Sequence, residues 1–216
     1  MNSYISIETM LINFLKNLPF IDIGTGHMRH NGKSKKIAFS FAQKDAFPGS
    51  TVLDMGCFDG YWSEKLSGLG YRVTSIDIEK HYPKTQIVDL DKSLPFADAS
   101  FDLVWSTDVI EHLDSPSATA QEIKRILKPK GIMIVSTNNS FFWIYPIMKL
   151  FGYSAKELQN PGHKQFFSYA DVRALFPRAQ IYGFLPYTLV KFTISHPTLL
   201  HYLSPTFVMV ARREEL

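Results

Sequence analysis

The sequence predicts an α/β fold, a mostly parallel sheet with helices on both faces. Two observations carry this. Short β-branched runs alternate with helix-like segments between Thr51 and Ser136, and such alternation builds parallel strands joined by crossover helices. The first two runs also end alike. One runs through Val52 and Leu53 into Asp54 and a glycine-bearing turn, and the other runs from Tyr71 to Ile78 through Asp77. Two carboxylates at one edge of a parallel sheet are what a nucleoside-type cofactor requires, because an acid there accepts both ribose hydroxyls.

The elements follow in order. Residues Ile5–Leu18 place apolar side chains at helical spacing (Ile7, Met10, Leu11, Phe14, Leu15, Leu18) and stop at Pro19. Gly24–Lys36 is glycine-rich and basic and reads as a mobile loop. Lys36–Phe47 reads as a second helix, ended by Pro48-Gly49. Strands are predicted near Thr51–Met55, Arg72–Ile76, Gln86–Val88, Phe101–Ser106 and Ile132–Ser136, with helices near Tyr61–Leu69 and Ser115–Leu127. An aromatic-rich insertion occupies Phe141–Phe167. Ser168, with Asp171 three residues on, caps a helix to Phe176. Two last strands, near Arg178–Phe184 and Thr206–Ala211, flank an apolar connection, Leu185–Pro205. The expected organisation is a helical lid over residues 1–48 and a core over residues 49–216, with the insertion near residues 141–167.

Composition bounds the function. The chain has 216 residues, 45% hydrophobic and 20% charged, enough for one sizeable core. A net charge of +3 is too even to mark a nucleic-acid surface. One cysteine, Cys57, cannot form an internal disulfide, which points to a reducing, cytoplasmic setting. No N-terminal signal pattern and no bilayer-length apolar run is present. The Gly24–Lys36 loop, with His27, Arg29, His30, Lys33, Lys35 and Lys36, invites an anionic head group, although a solvated loop is the preferred reading. Pro197–Pro205, with Leu199, Leu200, Tyr202 and Leu203, suits a peripheral membrane contact or a dimer contact.

The turn after the first strand reads Asp54-Met55-Gly56-Cys57-Phe58-Asp59-Gly60. This is not the dinucleotide spacing. It resembles motif I of the class I S-adenosylmethionine-dependent methyltransferases, Asp-x-Gly-x-Gly-x-Gly, with Phe58 where the middle glycine usually sits. Four further stretches resemble later blocks of the small-molecule, type 11-like branch of that family, in the same order: Leu94-Pro95-Phe96, Ser100–Val104, Asp108–Leu113 and Leu127–Gly131. The resemblance implies a Rossmann-like, seven-stranded sheet whose last strand, Thr206–Arg212, is antiparallel. It implies S-adenosylmethionine as cofactor and S-adenosylhomocysteine as product. The expected activity is methyl transfer to a small, apolar or lipid-like acceptor. A methyltransferase-like binding module without turnover is the alternative. A nucleic-acid methyltransferase is less favoured, since no Asn-Pro-Pro-Tyr tetrad follows the fourth strand.

The site residues are assigned on that basis. Asp54, Gly56, Cys57 and Gly60 meet the amino-acid end of the cofactor, with Cys57 a small packing residue and not a nucleophile. Asp77 takes the ribose, with Ile78 beside it. Asp89 and Asp91 compete for the adenine amine, and Asp89 is favoured because it ends the apolar run; Leu90 supplies an apolar wall. Thr107 and Asp108 face the methionine or sulfonium part. Glu111 and His112 admit three readings: a hydrogen-bonded structural pair, a general base at His112, or, with Asp108 and His163, a set resembling the ligands of metal-dependent O-methyltransferases. The structural pair leads and no metal site is assigned; His112 and Asp108 stand as candidate catalytic residues. Asn138, Phe141, Trp143, His163 and Phe166 are the candidate acceptor contacts.

Overall fold

A computed structural model describes residues 30, 32–45, 47–160, 162–185 and 193–216. The predicted helix over Ile5–Leu18 lies outside them. The eight strands are β1 (Thr51–Met55), β2 (Arg72–Asp77), β3 (Gln86–Ile87), β4 (Phe101–Thr107), β5 (Leu127–Asn138), β6 (Gln180–Phe184), β7 (Thr193–Ile194) and β8 (Thr206–Arg212). They form one sheet in the order β3-β2-β1-β4-β5-β8-β6-β7. The first five pair in parallel; β8 runs antiparallel to both β5 and β6.

The strands separate two cores by their period of two. Leu53, Met55, Val104, Met133 and Val135 face one side, where α3 (Pro116–Ile126) and α6 (Tyr169–Leu175) cover them. Val52, Leu103, Trp105, Ile132 and Ile134 face the other, against Ala38 and Ala42 of α1 (Lys33–Lys44) and Leu66 of α2 (Tyr61–Ser67). Strands buried on both faces read as continuous apolar runs, which is why β1 and β4 were visible. The predicted capping box is present: Ser168 accepts from the Asp171 amide, and Asp171 accepts from the Ser168 amide.

Four readings are corrected. Among the described residues the sheet has eight strands, not seven, because the short β7 adds to the edge at β6. The connection Leu185–Pro205 contains α7 (Pro197–Leu203), whose proline sits in the first turn, where no amide is required. β5 begins at Leu127, five residues early, because Leu127 pairs with Phe101 before the register shifts. Lys33–Lys36, read as loop, is the first turn of α1. The insertion holds α4 (Ile144–Leu150) and the single turn α5 (Ala155–Leu158) over its own small core of Phe142, Tyr145, Met148 and Leu158.

Candidate cofactor and acceptor site

The strand order reverses between β1 and β4, and a cleft of about 650 Å³ opens at their C-terminal ends. This is where open α/β sheets bind ligands. The motif turn forms one wall. Gly56, Phe58 and Gly60 all take left-handed backbone, with φ of +76°, +45° and +77°. A Cβ at Gly56 would lie 2.3 Å from Cγ2 of Val109, so this position takes only glycine.

The turn is closed by its own hydrogen bonds. The Gly56 and Cys57 amides both donate to the Ile76 carbonyl, at 2.9 and 3.1 Å, and the Gly60 amide donates to Cys57 O at 2.8 Å. These three amides are thus bonded within the protein. Glycine serves here by permitting φ and close approach. The Phe58 amide donates to Oδ2 of Asp77 at 2.8 Å. That bond fixes the carboxylate at the end of β2, and its Oδ1 accepts a long contact from the Glu79 amide at 3.4 Å.

The structure brings most of the assigned residues together. Asp54, Gly56, Cys57, Asp77, Ile78, Asp89, Leu90, Thr107, Asp108, His112, Asn138 and His163 line the cleft. Gly60, Phe141, Trp143 and Phe166 do not. Gly60 packs under Tyr82, and Phe141 stacks on His201 at the surface. Asp91 also lines the cleft, but its Oδ1 holds the amides of Asp114 and Ser115. Cys57 is buried beside Thr85, and burial pushes its thiol up to about 11, which fits a packing role.

Several lining residues carried no sequence signal. Trp62, Trp105, Tyr145 and Gln159 are among them. His30 and Lys35, read as parts of a solvated loop, fold over the site. His30 pairs with Asp59 at 2.8 Å and stacks on Tyr61; Lys35 reaches Oδ2 of Asp108 at 3.1 Å. Asp108 itself has φ +58° and accepts from Ser136 Oγ at 2.9 Å.

Two buried acids mark the floor. Asp54 is 1% exposed and accepts from Ser63 Oγ. Burial pushes its carboxyl from 3.8 up to about 7, against the hydrogen bond from Ser63. The unfolded chain therefore ionises first. Stability contributed by this group falls as pH rises from about 4 to about 7 and is level above that, at a cost of about 4 kcal/mol at most. Asp54→Asn is expected to remove that slope. Denaturant melts from about pH 5 to about pH 8 check it: wild type loses stability against the variant across that range.

Glu111 is the second buried acid. Thr137 donates to its Oε2 at 2.9 Å, and its Oε1 has no partner among the described residues. Burial, then the charge of Asp108, pushes this carboxyl up. His112 Nδ1 donates to the Gly162 carbonyl at 3.0 Å, and His163 Nδ1 donates to Gln159 Oε1 at 3.1 Å. Each imidazole thereby keeps its lone pair on Nε2. Burial and the neighbouring His112 lower His163 to about 4, so it is neutral. One ligand atom each from Glu111, His112 and His163 lies within 4.8 Å of the others.

A sequence model described as a methyltransferase domain matches residues 25–184. The chain belongs to the methyltransferase domain family. The chain is 35% identical over 123 residues to a 2-methyl-6-phytyl-1,4-hydroquinone methyltransferase of Synechocystis, covering 47% of this chain and 39% of that one. It is 31% identical over 150 residues to a ubiquinone biosynthesis O-methyltransferase of Caulobacter vibrioides, covering 62% and 60%. The alignments thus span less than two thirds of either relative. A solved S-adenosylmethionine-dependent methyltransferase from Mesorhizobium loti superposes with a TM-score of 0.64, at 15% identity, over 84% of this chain and 98% of that one. This likeness shows the shared fold.

S-adenosylmethionine is the cofactor this family implies, and the residues present fit it. The Asp77 carboxylate, fixed by the Phe58 amide, would suit a vicinal diol; Asp89, which also holds the Asp91 amide and Lys92, would face an exocyclic amine, and Leu90 would give an apolar wall. Asp54 and Asp108 line the same cleft, where carboxyl groups would suit a sulfonium and an ammonium group.

Proposed function

We propose that this methyltransferase moves the methyl group of S-adenosylmethionine to an oxygen, nitrogen or carbon atom of a small, lipid-like acceptor. The observation that carries this reading is the Asp77 carboxylate, held into the cleft by the Phe58 amide at the strand-order reversal. The acceptor side is supported by the apolar insertion at the mouth, where Tyr145 and Leu158 meet the polar Asn138, Gln159 and His163. The two relatives named above are a phytyl-hydroquinone methyltransferase and an enzyme of ubiquinone biosynthesis, which supports an apolar acceptor body.

The cofactor supplies an activated methyl group on sulfur. The protein's share is alignment and exclusion of water. Trp62, Trp105 and Tyr145 narrow the cleft. His112 is the proposed base: its Nδ1 is held by Gly162, and its Nε2 lone pair is positioned to take the acceptor's proton. Asp108, anchored by Ser136 and Lys35, is proposed to orient the sulfonium. The residues before β1 are proposed to cover the cofactor, since Ser34 and Lys35 of α1 line the cleft. The test is transfer of a radiolabelled methyl group from S-adenosylmethionine into solvent-extractable quinols and phenols. Transfer that needs His112 supports the reading, and cofactor binding without any transfer supports the binding-module alternative.

One observation favours a second reading of the acceptor rim. The proximity of Glu111, His112 and His163, with both imidazole tautomers set from behind, suits a divalent cation that would bind an acceptor's oxygens. The expected result is that zinc or manganese raises the melting temperature of wild type and leaves Glu111→Gln unchanged. Identical melts with metal and with chelator would leave the base reading in place.

A further inference from the structure

We infer that the insertion after β5, together with α7, is a docking face for an anionic lipid bilayer. Six of the nine large hydrophobic side chains exposed among the described residues lie on these two elements. They are Phe141, Ile147, Leu150, Phe151, Leu199 and Tyr202. Leu150 is 85% exposed and Phe151 72%. Helix α4 turns Tyr145 and Met148 into its small core and presents Ile147 and Leu150 to the outside. The two elements meet where the Trp143 amide donates to the Tyr202 carbonyl at 2.9 Å and Phe141 stacks on His201.

Charge selects the occupant. Of the 20 acidic residues, none falls in α7 and one, Glu157, falls in the insertion, where its carboxylate accepts from the Ser154 amide and hydroxyl. Exposed Lys149 and Lys156 stand among the apolar side chains instead. Exposed apolar side chains flanked by two lysines, with the one nearby carboxylate held by Ser154, suit the interface of a bilayer with anionic head groups. The face also adjoins the cleft, because Tyr145 of α4 and Leu158 and Gln159 beyond it line the mouth. A lipid-like acceptor would pass from the bilayer into the cleft along this insertion. That purpose rests on the proposed function; the docking itself does not.

The test is flotation of the full chain with vesicles of phosphatidylcholine alone and of phosphatidylcholine with phosphatidylglycerol in equal parts. Wild type is expected to float with the anionic vesicles. The double variant Leu150→Asp, Phe151→Asp is expected to lose about tenfold or more of that binding, with its melting temperature and S-adenosylhomocysteine affinity unchanged. Lys149→Glu is expected to weaken binding to the anionic vesicles alone. Wild type that floats with neither vesicle overturns the proposal, as does a double variant that floats like wild type. A wild-type dimer that becomes monomeric in the double variant, without vesicle binding, would show that a second copy covers the face and also overturns it. Flotation needs neither cofactor nor acceptor. Its failure with cofactor binding intact therefore counts against docking alone, and failed cofactor binding counts against the reading of the site alone.

Discussion

Asp77→Ala is expected to weaken S-adenosylmethionine binding by about a hundredfold or more. The carboxylate stands at the end of β2 with one oxygen fixed by the Phe58 amide. Two charge-assisted bonds from ribose hydroxyls to such a group contribute about 1.5–3 kcal/mol each. Removing the side chain deletes both and frees the turn that carries Phe58 at φ +45°. Asp77→Asn keeps one neutral acceptor and is expected to fall between the two. Calorimetric titration reads all three proteins. A change below about threefold in the alanine variant would make Asp77 an ordinary solvated acid at a strand end.

Gly56→Ala is expected to cost about 3 kcal/mol of stability and to weaken cofactor binding with it. Two terms add. Left-handed backbone costs a residue with a Cβ about 1–2 kcal/mol, and a Cβ here lies 2.3 Å from Cγ2 of Val109, an overlap costing about 1–3 kcal/mol. In a domain of this size the melting temperature is expected to fall by about 10 °C. Val109→Ala in the same chain relieves the contact and not the backbone strain. The double variant is therefore expected to recover part of the loss, about 1–2 kcal/mol. A Gly56→Ala protein that melts with wild type would contradict the packing described for this turn.

The sheet and its site were legible where the chemistry is local. β1 and β4 announced themselves through side chains buried on both faces, and Ser168 with Asp171 announced a helix start. The acids at strand ends were legible because a parallel sheet sends successive strands to the same edge. What escaped was set by distant partners. Nothing near His30 or Lys35 in sequence reveals that Asp59 and Asp108 hold them across the cleft. The two-residue strand β7 exists only because β6 offers it an edge. The bonding of the Gly56 and Cys57 amides was also hidden, since their acceptor, the Ile76 carbonyl, belongs to the next strand. Phe58, where the motif usually has glycine, takes a left-handed φ, and its ring packs against His81.

Titration of the wild-type protein with S-adenosylhomocysteine and S-adenosylmethionine tests the central claim most directly. One site with micromolar affinity for both ligands is expected, with a matching rise in melting temperature. No heat and no thermal shift at millimolar ligand would contradict it, and the cleft between β1, β2 and β4 would then not be a cofactor site.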